Sequence, residues 1–366
     1  MKITELELKN FRNYDHVELK LDSKLNFFVG KNASGKTNLL ESVYMLGVGK
    51  SFKTTKDKEV IKWNEESSYI KIKLEKKYRS HTIEMMIDNK GAKRILINQI
   101  PVLKISELIG FLKVVLFSPE EMKFIKETPL ERRRFMDISL SQQDKSYYYN
   151  LVNYNKALKQ RNKILKDYYM KPEVEDLLPL WDDEMIKKAV VVAKKRREFL
   201  QSLEKIAKEK MLQLTDGKEN IKLEYESKVN LDTDDIFASY KKTLSEDLEK
   251  DKRLMYTNSG VHRDDIKIEV NGIDVRKYGS QGQQRSAALA LKLAEVDLFY
   301  EKTGEKPVLL LDDVLSELDL KRQYQLISIA SCEQTIITAT HYDLENQLNK
   351  TIFTVDSGQI VDKVTK

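Results

Sequence analysis

Apolar and polar positions alternate through residues 2–8 (KITELEL), which predicts a strand with one wet face. The polar stretch NFRNYDH reads as a turn, and LNFFVG is a short apolar run ending at Gly30, as in a buried strand. Helical spacing begins at Lys36. Between Ser68 and Ile97 the runs YIKIKLE, HTIEMMI and RILI predict half-buried antiparallel strands, followed by the wholly apolar VVLF at residues 114–117. Together these runs predict a mixed sheet.

From Pro119 to about Gly217 the spacing turns helical and no glycine intervenes. Met185, Ala189, Val192, Leu200, Leu203, Ile206 and Leu214 recur near the 3.6-residue period and predict a long amphipathic helix. Another helix is expected from Ile236 to about Leu248. DIKIEV restores strand character, a helix runs from Gln283 to Tyr300, and PVLLLDD, TIITAT and TIFTV resemble parallel strands covered on both faces. The expected fold is α/β. Residues 1–118 and 256–366 build one lobe, and residues 119–255 are inserted as a helical lobe.

At 366 residues, against about 150 for a typical domain, the chain suits one large or two moderate domains. Charged residues make up 33%, above the usual ~25%, which describes a heavily ionised surface. No run approaches the ~18 apolar residues of a membrane span and no signal-peptide core follows Met1, so a cytoplasmic protein is expected. The lone Cys332 can form neither an internal disulfide nor a CxxC site, and His16, His81, His262 and His341 lack ligand spacing, which disfavours zinc chemistry. A net charge of +6 suits a polyanionic partner only if the cations cluster.

Gly30-Lys31-Asn32-Ala33-Ser34-Gly35-Lys36-Thr37 fits G-x-x-x-x-G-K-[ST] at every fixed position, between an apolar run and a helical one. Glycines let backbone N–H groups turn inward around phosphates, and the helix N-terminus adds positive potential. Lys36 is then expected to bridge the β and γ phosphates of ATP, with the Thr37 hydroxyl a ligand of Mg²⁺. An acid is needed at the end of another strand, and PVLLLDD supplies two: Asp312 to hold Mg²⁺ through water, Asp313 to orient the attacking water as a base. Helix capping ahead of SELDLKRQYQL is the competing account of both acids.

Farther along, Ser280-Gln281-Gly282-Gln283-Gln284 opens an Ala/Leu-rich helix, so a hydroxyl, a bare backbone and a positive helix end meet at one point. This is either a second anion site or a plain helix cap. One nucleotide has one triphosphate tail, so a second phosphate-reading element suggests that its target belongs to another subunit.

Four features in order resemble the ABC-type ATPases of the SMC and Rad50 class: NFRNY, GKNASGKT, the signature-like SQGQQR, and LLLDDVLSELD. With FSPEEMKFIKETPLERRRFMD and GVHRDD, the chain looks like a member of the RecF family of bacterial DNA replication and repair proteins over essentially its whole length. The resemblance implies an ABC-type P-loop ATPase head with an inserted α-helical lobe and no long coiled coil. It implies an ATP-dependent homodimer with two ATP molecules sandwiched head to tail, Lys36 gripping each from one side while Ser280, Gln281, Gly282 and Gln283 cap the γ-phosphate from the other. Arg12 of NFRNY is implied near the nucleotide and His341 as a γ-phosphate sensor; an exposed turn arginine and a surface histidine are the alternatives. Ser118 and Glu120 stand where many ABC ATPases carry a metal-sensing glutamine, Asp319 is implied at the dimer interface, and no role follows for His262-Arg263-Asp264.

The same resemblance implies DNA as partner, at single-strand gaps and duplex junctions, with RecR and RecO and indirectly RecA, and no membrane. Cations cluster at Lys50, Lys53, Lys56, Lys58 and Lys62, in the triplet Arg132 to Arg134, and among Lys187, Lys188, Lys194, Lys195, Arg196 and Arg197. The first cluster is preferred for DNA because it follows the nucleotide loop, with Lys53, Lys56, Lys58 and Lys62 as contacts; a solvated face is the alternative for each cluster, and packing and ion pairs a further one for the Arg triplet. ATP then closes the dimer and hydrolysis releases it. Asp313 is one methylene shorter than the glutamate of many ABC ATPases, so slow, DNA-stimulated hydrolysis is expected. The alternatives are an ABC-type subunit of a non-DNA machine, which the long insertion disfavours, and a small-molecule P-loop kinase, which leaves SQGQQR and SELD without purpose.

Overall fold

The structure, a computed structural model, describes residues 1–21, 24–119, 123–317, 323, 326, 332–340 and 350–365. It divides into two compact units, Met1–Lys123 with Ala288–Lys366, and Phe124–Ala287.

In the first unit the alternating runs form an antiparallel sheet of β1 (Lys2–Phe11), β2 (Tyr14–Lys20), β4 (Ser67–Glu75), β5 (Ser80–Asp88), β6 (Lys93–Ile97) and β7 (Ile100–Pro101), ordered β2-β1-β4-β5-β6-β7. The apolar runs form a separate sheet of β3 (Leu25–Val29), β8 (Val114–Phe117), β12 (Val308–Asp312), β13 (Thr335–Ala339), β14 (Lys350–Asp356) and β15 (Gln359–Thr365). Its order is β15-β14-β3-β13-β12-β8, and only β15 runs antiparallel to its neighbour. The single mixed sheet of the sequence pattern is therefore two sheets. Period-two strands keep a polar face in water, whereas β12 and β13 are buried at every residue and need cover on both sides. Helix α1 (Lys36–Val48) supplies part of that cover: Leu39, Leu40, Val43 and Leu46 share one core with Ile72 and Met85 of the first sheet and Leu310 and Ile336 of the second.

The second unit holds α2 (Pro129–Gln143), α3 (Lys145–Asp167), α4 (Leu178–Leu214) and α5 (Ile236–Leu254). A three-stranded sheet joins them, β11 (Ile273–Asp274), β10 (Asp265–Val270) and β9 (Ile221–Glu226). The last helix, α6 (Gln281–Thr303), begins in this unit and ends in the first. The stretch 256–287, which the sequence pattern groups with the ATPase lobe, packs here instead because β10 pairs with β9 from Asp265↔Glu226 to Val270↔Ile221. On α4 the spaced apolar residues are buried, except that Ile206 is only partly covered and Ala207 and Met211 carry the stripe onward. Among the described residues, no helix is long and apolar enough to cross a membrane.

Several cations of this unit's helices are interior. Arg196 is 1% exposed; it donates to Asp137 Oδ1 at 2.8 Å, to the Tyr147 hydroxyl at 3.0 Å and to the Val261 carbonyl at 2.6 Å. Arg132 grips Asp265 with two bonds of 2.6 and 2.9 Å, and Arg161 reaches Asp251 at 2.7 Å. Such pairs are matched within the fold, and removing one partner strands a buried charge. His262 belongs to the same interior. Its Nε2–H donates to the Thr257 carbonyl at 3.0 Å, so Nδ1 accepts the Tyr154 hydroxyl at 2.6 Å, and burial pulls its pKa down to about 4.

Candidate nucleotide site and signature turn

The loop of residues 30–35 leaves the C-terminal end of β3 and enters α1, at the carboxyl edge of a parallel sheet where open α/β folds collect ligands. Two residues turn it through the left-handed region, Ala33 at φ 64° and Gly35 at φ 117°, which rotates backbone N–H groups toward a common concavity. Its glycines answer to different neighbours. A Cβ on Gly35 would lie 2.7 Å from Asn13 Nδ2, whereas one on Gly30 would lie 2.1 Å from the Val355 carbonyl of β14. The loop is also tied from outside: Asn13 Nδ2 donates to the Ser34 carbonyl at 3.0 Å, as does the Gly358 N–H at 2.9 Å.

Lys36 folds back over this loop, its Nζ donating to the carbonyls of Gly30 and Lys31 at 2.7 and 2.8 Å. Burial lowers its pKa, against the opposing pull of Asp313 and Asp312. Thr37 Oγ1 donates to Asp312 Oδ1 at 2.7 Å across 275 positions of sequence. Burial raises the pKa of Asp312, while hydrogen bonds from Thr37 and Thr338 pull it down. Asp313 follows in a left-handed conformation, φ 53°, its N–H on the Thr338 hydroxyl at 3.0 Å. The hydroxyl of Ser34 and Asp313 Oδ1 are buried with no hydrogen-bond partner among the described residues. Orphaned atoms of this kind beside a phosphate-type loop are what a polyanion with its cation would engage. The donor set fits both: an ammonium and turned N–H groups for phosphate, a hydroxyl and a carboxylate for a hard cation.

Arg12, also left-handed at φ 55°, donates to both carboxylate oxygens of the buried Glu41 on α1, at 2.9 and 2.6 Å, and to the Glu59 carbonyl at 2.7 Å. Three of its five N–H groups are thus committed to the fold. Lys53 donates to Asn38 Oδ1 at 2.8 Å, and its charge lowers the pKa of Asp312, so this end of the basic segment lies at the nucleotide loop. Lys56 and Lys58 are exposed, Lys56 beside Glu59 at 3.7 Å; Lys62 is partly covered and paired with Asp15. Ser118 follows β8, whose Phe117 aligns with Leu311, so it is buried at the level of Asp312 one strand away. Glu120, Asp319 and His341 lie outside the described residues.

In the second unit, Ser280 and Gln283 cap α6 reciprocally: Ser280 Oγ accepts the Gln283 N–H at 3.2 Å and Gln283 Oε1 accepts the Ser280 N–H at 3.0 Å. Ser280, Gln281 and Gly282 are exposed. Among the described residues a Cβ on Gly282 would find only Ser280 Oγ, at 3.8 Å, so no packing among them calls for glycine there.

The RecF/RecN/SMC N terminal domain family matches residues 2–360. A DNA replication and repair protein RecF from Agathobacter rectalis is 44% identical over 364 residues, covering 98% of this chain and 99% of the relative. The chain belongs to the RecF family. A second relative of that name, from Alkaliphilus oremlandii, is 43% identical over 98% of this chain and 100% of its own length. A solved structure of the recombination mediator protein RecF in the RecFOR pathway, described as RecF-ATP, superposes with a TM-score of 0.92 at 35% identity, over 99% of this chain and 97% of the other. A head of Smc bound to the C-winged helix domain of ScpA, 16% identical with a TM-score of 0.57 and coverage of 100% and 98%, shares the fold. This RecF-family chain is therefore a recombinational-repair ATPase built on the SMC-type head. Asn13, Asn38, Thr338 and Gly358, which hold the loop and the acids, escaped sequence reasoning; only Asn13 carried a hint, standing inside NFRNY.

Proposed function

We propose that ATP binds the loop of residues 30–37 and that its γ-phosphate joins two copies of the chain into a dimer on DNA. Lys36 takes the β and γ phosphates in place of its two carbonyl partners. Thr37 and Asp312 hold Mg²⁺, which neutralises phosphate charge, and Asp313 orients the attacking water. Ser280, Gln281, Gly282 and Gln283 approach the nucleotide of the second copy, with His341 as the γ-phosphate sensor. Arg12 keeps α1 and the basic segment in register with that loop. Hydrolysis removes the charge that joined the copies, and release follows. Turnover is slow and stimulated by DNA, contacted through phosphates by Lys53, Lys56, Lys58 and Lys62 without base reading. Work at gaps and junctions alongside RecO and RecR, assisting RecA, agrees with the RecFOR pathway named for the solved relative.

Gly282 carries this reading. It is a glycine at an exposed helix start that no packing among the described residues requires, and the Ser280 hydroxyl, which accepts the Gln283 N–H, has a proton to offer a further acceptor. Ser280→Arg tests it. The variant should bind ATP with unchanged affinity yet neither dimerise nor hydrolyse, because the lesion acts on the other copy's nucleotide. Loss of ATP binding itself would refute action in trans.

A further inference from the structure

β13 lies between β3, which delivers the phosphate loop, and β12, which delivers the acids, and Thr338 near its carboxyl end is fully buried. Its hydroxyl touches both acids at once. It donates to Asp312 Oδ1 at 2.8 Å and accepts the Asp313 N–H at 3.0 Å; the Thr338 carbonyl accepts that N–H as well, at 3.2 Å. Asp312 Oδ1 also takes the Thr37 hydroxyl, so both of its lone pairs are engaged and the carboxylate plane is set. Asp313 is held left-handed, a conformation a residue with a Cβ avoids unless its surroundings impose it. That backbone leaves its buried Oδ1 without a partner among the described residues.

We propose that Thr338 is a positioning residue for hydrolysis, setting the metal-side carboxylate and the water-side carboxylate through one hydroxyl. The inference rests on the ATPase reading above. A hydroxyl suits the place because it donates and accepts together; valine has the same shape and does neither, and serine does both. Without the hydroxyl's proton the Asp312 carboxylate is free to rotate, and without its oxygen the Asp313 N–H keeps a single acceptor, which loosens the group that orients water. Ground-state nucleotide binding at saturating Mg²⁺, through the loop and Lys36, is untouched.

The experiment compares Thr338→Val and Thr338→Ser with wild type, and uses Lys36→Ala as a control on the reading. Single-turnover hydrolysis, steady-state KM, binding of a fluorescent ATP analogue across a Mg²⁺ titration, and thermal melting are measured on each. Valine is expected to lower kcat by about tenfold or more, with KM within about twofold. It also moves the Mg²⁺ midpoint of analogue binding upward, while serine stays near wild type in both. Wild-type kcat and Mg²⁺ midpoint in the valine variant overturn the proposal. So does a serine variant as impaired as valine, which would mean that keeping the hydroxyl does not keep the function. If valine melts at the working temperature, Thr338→Ala is read by the same criteria. A Lys36→Ala variant that hydrolyses ATP at the wild-type rate defeats the ATPase reading itself, whatever Thr338 does.

Discussion

Gly282→Ala separates an ordinary helix cap from a surface that meets a second copy's nucleotide. Among the described residues the new Cβ has Ser280 Oγ at 3.8 Å as its nearest neighbour, an ordinary van der Waals distance. The residue sits in the first turn of α6, where alanine is preferred to glycine by up to about 1 kcal/mol. Melting should therefore hold steady or rise by roughly 2–4 °C. In the assembled state a phosphate oxygen must come within about 3 Å of the backbone, and a methyl in its path forfeits a charge-assisted hydrogen bond, about 1.5–3 kcal/mol per site. That corresponds to roughly ten- to a hundredfold weaker association at each site. Sedimentation velocity over a dilution series with ATP and Mg²⁺, on samples also assayed for melting and nucleotide affinity, reads all three. The expected variant is folded, binds ATP normally, and dimerises only at about tenfold or higher concentration. Wild-type dimerisation would refute the reasoning, and so would a lowered melting temperature, since it would mean that the glycine serves the chain's own fold.

Lys56→Glu and Lys58→Glu should each weaken DNA binding at low salt and reduce the slope of log affinity against log salt by about one, with ATP affinity unchanged. Unaltered slopes in both would move the interface away from this segment. His262, neutral in the fold with a pKa of about 4 against 6.5 when exposed, gives a pH dependence of defined sign. Its share of stability is complete above 6.5 and is lost as pH falls toward 4, because the unfolded chain takes up a proton that the folded chain refuses; the loss is about 3 kcal/mol. Buried Asp264, whose pKa is raised by burial, takes up a proton in the folded state and offsets part of it. Denaturant unfolding at pH 7 and at about 4.5 should show a smaller acid loss in His262→Gln than in wild type. Equal losses would exclude the imidazole as the cause.

How much of this was legible follows the reach of each signal. The strand–turn–helix around Gly30 and Lys36 is readable in the chain because glycine spacing, an apolar run and a helical run are neighbours in sequence. So is the serine that opens α6, whose cap closes within three residues. The division of the alternating and apolar strands into two sheets was not, since alternation reveals which faces are wet but not which strands pair. Arg196 reads as surface charge on a helical period; Asp137, on another helix, draws it inside.

What the sequence alone determined is local: which segments turn, which bind a phosphate by their backbone, and which run as helix or strand. What the tertiary structure decided is pairing at a distance. Thr37 meets Asp312 across 275 positions and Thr338 stands between two acids because parallel strands brought their carboxyl ends level. The second unit reaches Ala287 because β10 chose β9. Backbone conformation depends on neighbours along the chain, whereas such pairings form only once the loops between them have closed, and no short stretch of residues encodes that closure.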